Sequence, residues 1–398
     1  MEGRMRTMKR GASILALGIA SALIAGAALA QAIGPTSGVN FADPKEAITG
    51  PKTIAGATSY VSPLPFFKDL KAWDPTYKPP RTADGHPDLQ GVWSSASLTT
   101  MTRGVQGRAG VNIDTLVIPD QRIRDITNKA GYNAYADDNL KRTDPNAGVF
   151  TDKNVDRGYN GFWIDPGSEY TKVNGEWRSS YITDPANGQI PYNKGGRGAA
   201  SFRVDRQAQM NNTGPEARGF GERCLISFGN QGGPPLQSAM YNNNIQIVQT
   251  PTNVMLDIEM NHDARIITLE KPGQKVAARP DAIKPWFGDE VGRWEGDTLV
   301  VVTHNLHPQQ ARGRVPLSDT GKVIERFRRV SPVEIYYQFE VDDPVNYAQV
   351  WKGEMTLRAS KERVFEYACH EGNYAMPGIL RGMNAGRDTA LGSEGEGG

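Results

Sequence analysis

The chain has 398 residues, with 45 Lys and Arg against 44 Asp and Glu, for a formal net charge of +1. That balance excludes a nucleic-acid binder that works through bulk positive charge. Apolar residues make up 38% and mean hydropathy is −0.51, too polar for a polytopic membrane protein, yet the chain is long enough to bury one or two cores. Two cysteines exclude a disulfide-dense scaffold and a four-cysteine metal or iron–sulfur site.

Arg4, Arg6, Lys9 and Arg10 precede an uncharged run from Gly11 to Ala30. Two small-residue sites follow, Ala28-Leu29-Ala30 and Ala30-Gln31-Ala32. Basic, then apolar, then small is the order of a secretory signal peptide over residues 1–32. An uncleaved anchor is the alternative, because the run approaches bilayer-spanning length. No later stretch is apolar enough to cross a membrane. In a bacterial context the mature protein is expected to be periplasmic or secreted, with no stable membrane span after signal cleavage. In that oxidising space Cys224 and Cys369, 145 residues apart, are expected to form a disulfide bond. Closing such a loop is worth about 5 kcal/mol in the chain-entropy model. Inert thiols, or a nucleophilic or metal-bound thiol, remain the alternatives.

Residues 33–82, rich in Pro, Gly, Thr and Ala, read as an extended arm. Gly91-Val92-Trp93-Ser94 is the first clear strand. Ile123, Ile126, Tyr132, Tyr135 and Leu140 suggest one helix over 120–142, with Asp120 after Pro119 at its start. Gly161–Ile164 reads as a short strand. Tyr170–Val173 and Trp177–Thr183 flank Asn174-Gly175, a strong hairpin signal. Residues from about 100 to 220 are otherwise loop-rich and read as an insertion.

From 240 onward period-two alternation dominates. Ile245–Val248 is a strand. Val254, Leu256, Ile258 and Met260 share a face opposite Asp257, Glu259 and Asn261, and Arg265–Leu269 follows. Leu299–Val302 is apolar on both faces. Val333, Ile335, Tyr337, Phe339 and Val341 alternate with polar or tyrosine neighbours, as do Trp351, Met355 and Leu357, and then Phe365, Tyr367 and Cys369. Turns every 10–15 residues or so, with no helices between, predict an all-β fold. The expected form is an antiparallel barrel of about 8–10 strands spanning residues 83–390, with a long N-terminal arm and one or two helices. The Gly/Glu-rich segment 391–398 reads as a disordered tail.

Several segments carry a resemblance. They are Arg81–Trp93 (with Pro87-Asp88-Leu89-Gln90-Gly91-Val92-Trp93), Tyr241–Pro251, Asn261–Ile267, Gly292–Val301 and Glu366–Tyr374. Together they resemble a large, mostly uncharacterised family of exported bacterial proteins, across most of residues 81–382. The resemblance implies an exported location and carries little about activity. Gly91-Val92-Trp93 and the meander are also similar to lipocalin-type calycin barrels.

The chain has five histidines, so acid–base candidates are few. If the strand holds its register, His262 continues the face of Leu256, Ile258 and Met260 to a pocket mouth, beside Glu259, Asp263 and Arg265. An imidazole there is the natural proton carrier near neutral pH; a strand-end turn capped by Asp263 is the bland alternative. His370 and Glu371, next to Cys369, form a second acid–base candidate. Tyr241, Asn242, Asn243 and Asn244 offer hydrogen-bonding groups to a ligand, or else form a turn. Phosphate-loop, dinucleotide, nucleophile-elbow, zinc-protease and haem motifs are all missing.

These residues suggest a cofactor-free enzyme of lyase, hydratase or isomerase type, acting on a small, partly apolar molecule. His262 or His370 would move the proton, Asp263, Glu259 or Glu371 would orient it, and Arg265 with residues 241–244 would bind substrate. The alternative is a non-catalytic binding or cell-envelope protein. No cofactor is expected; a divalent metal on His262, His370, Asp263 and Glu371 is a further possibility that no spacing supports.

Overall fold

Alternating apolar side chains along nine strands turn one face inward and close on themselves. The strands are β1 (Gly91–Ser94), β6 (Asn244–Gln249), β7 (Asn253–Ile258), β8 (Asp263–Leu269), β9 (Asp289–Glu295), β10 (Thr298–His304), β11 (Lys322–Ser331), β12 (Glu334–Asp342) and β13 (Trp351–Ala359). They neighbour one another in that order, and β1 returns to pair with β13 at Trp93–Ala359 and Ser94–Arg358. The structure is a computed structural model and describes residues 64–104, 113–129, 167–193 and 214–382, the last span with short interruptions.

The all-β barrel expected from the periodicity is present. Val254, Leu256 and Ile258 of β7, and Ile335, Tyr337, Phe339 and Val341 of β12, all point into one core. Trp351, Met355 and Leu357 of β13 join it. Burial of such side chains is worth about 1.5–3 kcal/mol each, an upper bound given a compact unfolded state.

The expected all-antiparallel order needs one correction. β8 and β9 run parallel, with Thr268 beside Val291 and Leu269 beside Gly292. The connection over 270–288 is no hairpin; it returns the chain to the end where β8 began, so both strands run the same way. Gly292 fits this close approach, since a Cβ there would lie 2.7 Å from Ile267 Cγ2.

A second correction concerns Phe365–Cys369, whose alternation predicts a strand. Residues 361–371 form turns and coil instead. The outer edge of β13 is already taken, by β1 at one end and by β5 (Ile182–Asp184) at the other. No ladder remains for a further strand at that edge.

A small outer layer covers β12 and β13. It contains β2 (Val117–Ile118), β3 (Lys172–Val173) and β4 (Glu176–Arg178), with helix α1 (Asp120–Lys129). The β3–β4 hairpin turns at Asn174-Gly175 as expected, with φ of 50° and 80°, the positive values that a tight primed turn requires. The helix predicted over 120–142 occupies Asp120–Lys129; its remainder, like the strand expected at 161–164, lies outside the described residues. Phe67, Leu70, Leu98, Ile118, Tyr170 and Trp177 form the layer's own core. Arg358 ties it to the barrel, donating to Pro65 O at 2.8 Å and Ala96 O at 2.9 Å. None of the described helices is long and apolar enough to cross a membrane.

Candidate functional site

The sequence-predicted residues gather at one end of the barrel, where β1, β7 and β10 finish and β6, β8 and β9 begin. β7 stops at Ile258, and Met260–His262 make a tight 3-10 turn. Asn261 and His262 both adopt positive φ, 65° and 52°. Asn tolerates that conformation better than most residues. Strand register therefore does not continue to His262. The imidazole is exposed, off the inward face where the alternation had put it.

His262 Nε2 accepts a hydrogen bond from the backbone N–H of Tyr367 at 2.8 Å. Glu259, 2% exposed, accepts from the N–H groups of Asn244 (3.2 Å) and Phe365 (3.3 Å). Asp263, 5% exposed, accepts from Ser227 N–H at 2.6 Å and Asn261 Nδ2 at 3.2 Å. Burial raises the Asp263 carboxyl, opposed by the Ser227 and Asn261 hydrogen bonds and by His262. Burial likewise raises Asp257, with His262 opposing. Tyr241 and Tyr367 hydrogen-bond through their hydroxyls; burial and Tyr241 push Tyr367 up to about 12, and burial raises Tyr241.

Asn243 is buried and turned toward its own loop. Its Oδ1 accepts from Ala239 N–H at 2.7 Å, and its Nδ2 donates to Ala239 O at 3.1 Å. Asn242, at φ 52°, lends its carbonyl to Gln231 Nε2 at 2.8 Å. Asn244 opens β6. The asparagine run thus builds the loop into β6. Cys224 and Cys369 are bridged, with Cα atoms 5.7 Å apart. The bridge fastens the segment bearing Tyr367, His370 and Glu371 to the loop before residue 226. His370 and Glu371 are exposed. Among the described residues, no group of three or more His, Cys, Asp or Glu side chains is set to hold a metal ion.

Arg265 lies elsewhere than its expected place beside His262. It is 0% exposed, on the inward face of β8. Its Nε donates to Glu290 Oε1 at 2.7 Å, and its Nη1 donates to Gly232 O at 3.0 Å and Glu325 Oε1 at 3.1 Å. Its Nη2 makes a short contact with Glu325 Oε2. Tyr337 donates to Glu325 Oε1 at 2.7 Å and accepts from Leu236 N–H at 2.8 Å. Burial, then the Glu325 charge, raise the Tyr337 phenol. Burial raises Glu290 to about 7, with Arg265 opposing and Glu325 reinforcing.

Sequence reasoning missed Glu290, Glu325 and Tyr337 as a group. One signal was available. Glu325 shares parity with Val323 and Phe327, an acid on an apolar face, which demands a buried partner. No family model matches the chain, and it has no significant match among curated proteins or solved structures.

Proposed function

We propose that this protein is an exported binding protein that takes a small, partly apolar molecule where Tyr241, His262 and Tyr367 meet. The observation that carries this is the engagement of His262 Nε2 by a backbone N–H. That lone pair is the one a general base would use, and here it holds the 365–369 segment in place. Glu259 and Asp263 serve backbone amides in the same way. On this reading His262, Glu259 and Asp263 hold the backbone around the surface instead of moving or orienting a proton. Aromatic rings rise from the elements meeting there: Phe228, Phe365 and Tyr374 are 38%, 52% and 70% exposed. Flat apolar faces beside phenol hydroxyls suit an amphipathic or aromatic ligand.

A second reading keeps the enzyme. Its support is that His370 and Glu371, both exposed, follow the bridged Cys369 on the segment that meets His262. Such a pair can exchange a proton with a bound molecule without a cofactor.

A thermal-shift screen of the purified protein against a small-molecule library separates the two. Binding predicts compounds that raise the melting temperature and are recovered unchanged, with the shift reduced in Phe365→Ala and Tyr374→Ala. Consumption of a hit, lost in His370→Ala while its thermal shift persists, would overturn binding in favour of catalysis.

A further inference from the structure

The interior network holds two carboxyl groups and one guanidinium. Glu290 faces Arg265 from β8, Glu325 from β11 with Tyr337 of β12 beyond it, and Thr303 of β10, its cross-strand neighbour. Asp263, the one acid on the inward face of β8, lies beside Gly232 and is held by Ser227. The donors are shared unevenly. Glu325 receives Arg265 Nη1, Arg265 Nη2 and the Tyr337 hydroxyl. Glu290 receives Arg265 at Oε1, whereas Glu290 Oε2 and Thr303 Oγ1 are both buried and neither makes a hydrogen bond of normal geometry. Two orphaned buried oxygens side by side are costly. A proton on Oε2, donated to Thr303 Oγ1, satisfies both and brings the buried group to zero net charge.

The same network seats the segment 231–239 in the barrel end. Gly232 O rests on Arg265 Nη1, and Leu236 N–H rests on the Tyr337 hydroxyl. Leu236 is itself 1% exposed within the barrel core.

We infer that Glu290 Oε2 is a proton-binding site in the barrel interior, and that its occupancy sets how firmly residues 231–239 seat over Arg265 and Tyr337. Loss of the proton to water leaves a second negative charge competing for Arg265. Arg265 then turns toward Glu290 at the expense of Gly232 O, and the segment loosens. No other bond changes. The site stands independently of the binding reading above, because it lies beneath the segment and not on the surface around His262.

The test compares the purified protein with Glu290→Gln, the neutral isostere. Infrared difference spectra across pH read the protonated carboxyl directly, and hydrogen exchange of residues 231–239 reads the seating. A protonated-carboxyl band that fades as pH rises through neutrality, and is missing from Glu290→Gln, is expected. After correction for intrinsic rates, exchange in this segment should rise about tenfold over the same range in the wild type, through local opening, and stay flat in Glu290→Gln. Thr303→Val, which removes the facing hydroxyl and keeps the carboxyl, should move the midpoint of the band. No titrating band in the wild type, a band retained in Glu290→Gln, an unmoved midpoint in Thr303→Val, or equal exchange in wild type and Glu290→Gln would each overturn the assignment.

Discussion

Two Arg–Glu–Tyr groups, one inside the barrel and one outside, use the same chemistry in different surroundings. Inside, Arg265 serves Glu290 and Glu325, and Tyr337 donates to Glu325. Outside, beneath the small layer, Arg178 donates to Glu354 Oε1 at 2.8 Å and to Glu176 Oε2 at 2.9 Å, and Tyr336 donates to Glu354 Oε2 at 2.6 Å. Each has one cation, two acids and one phenol. The difference is water: the second acid outside, Glu176, has a side chain 58% exposed, whereas that of Glu290 is 2% exposed. A surplus carboxylate in water keeps its hydration; a surplus carboxyl in a core must find a proton or a partner.

The largest test of this contrast is removal of each arginine. Arg265→Met leaves buried Glu290 and the Gly232 carbonyl without their Arg265 donor, and Glu325 with the Tyr337 hydroxyl alone, and should cost about 3–5 kcal/mol in urea unfolding. Arg178→Met should cost only about 1–2 kcal/mol, since Glu354 retains the Tyr336 hydroxyl and Glu176, largely in water, keeps its hydration. Equal losses would show that burial of the second acid does not matter.

Next in size is the pH dependence of Glu290, whose proton affinity is raised from 4.5 to about 7. The unfolded chain releases this proton near 4.5 and the folded chain only near 7. The stabilisation is therefore complete below about 4.5, falls as pH rises to about 7, and is constant above. The fall is worth about 3 kcal/mol. In Glu290→Gln that part of the slope should vanish, leaving the variant similar to wild type at low pH and more stable above neutrality. Parallel stability curves for the two proteins would contradict it.

Alternation in the sequence made much of the barrel legible, because strands half-buried against one core write their inward face at every second position. Ile335 to Val341 and Val254 to Ile258 show this. The Asn174-Gly175 turn was legible because two adjacent positive φ values have few residue solutions. Two features were not. Whether β8 and β9 run parallel depends on where the 270–288 connection travels, which no local pattern encodes. Phe365–Cys369 has a strand's alternation, but pairing also needs a free edge, a property of the whole sheet. At the candidate site the residue types were legible and their arrangement was not. Two positive φ values, at Asn261 and His262, break the parity that would have carried the imidazole inward. They leave Arg265, counted from the new strand start, facing Glu290.

The smallest expected effect sharpens the outer half of the comparison. Glu176→Gln removes one acid from the Arg178 group but leaves the buried bond to Glu354 intact. An ion pair with one partner largely in water contributes little, because hydration replaces most of what the contact supplies and salt screens the rest. The cost should stay below about 0.5 kcal/mol at physiological salt and shrink further at high salt. Glu325→Gln, which removes a fully buried acid held by both Arg265 and Tyr337, should cost several times more and show little salt dependence. A Glu176→Gln cost as large as that of Glu325→Gln would mean that the outer layer, not the barrel interior, holds the more tightly coupled charges.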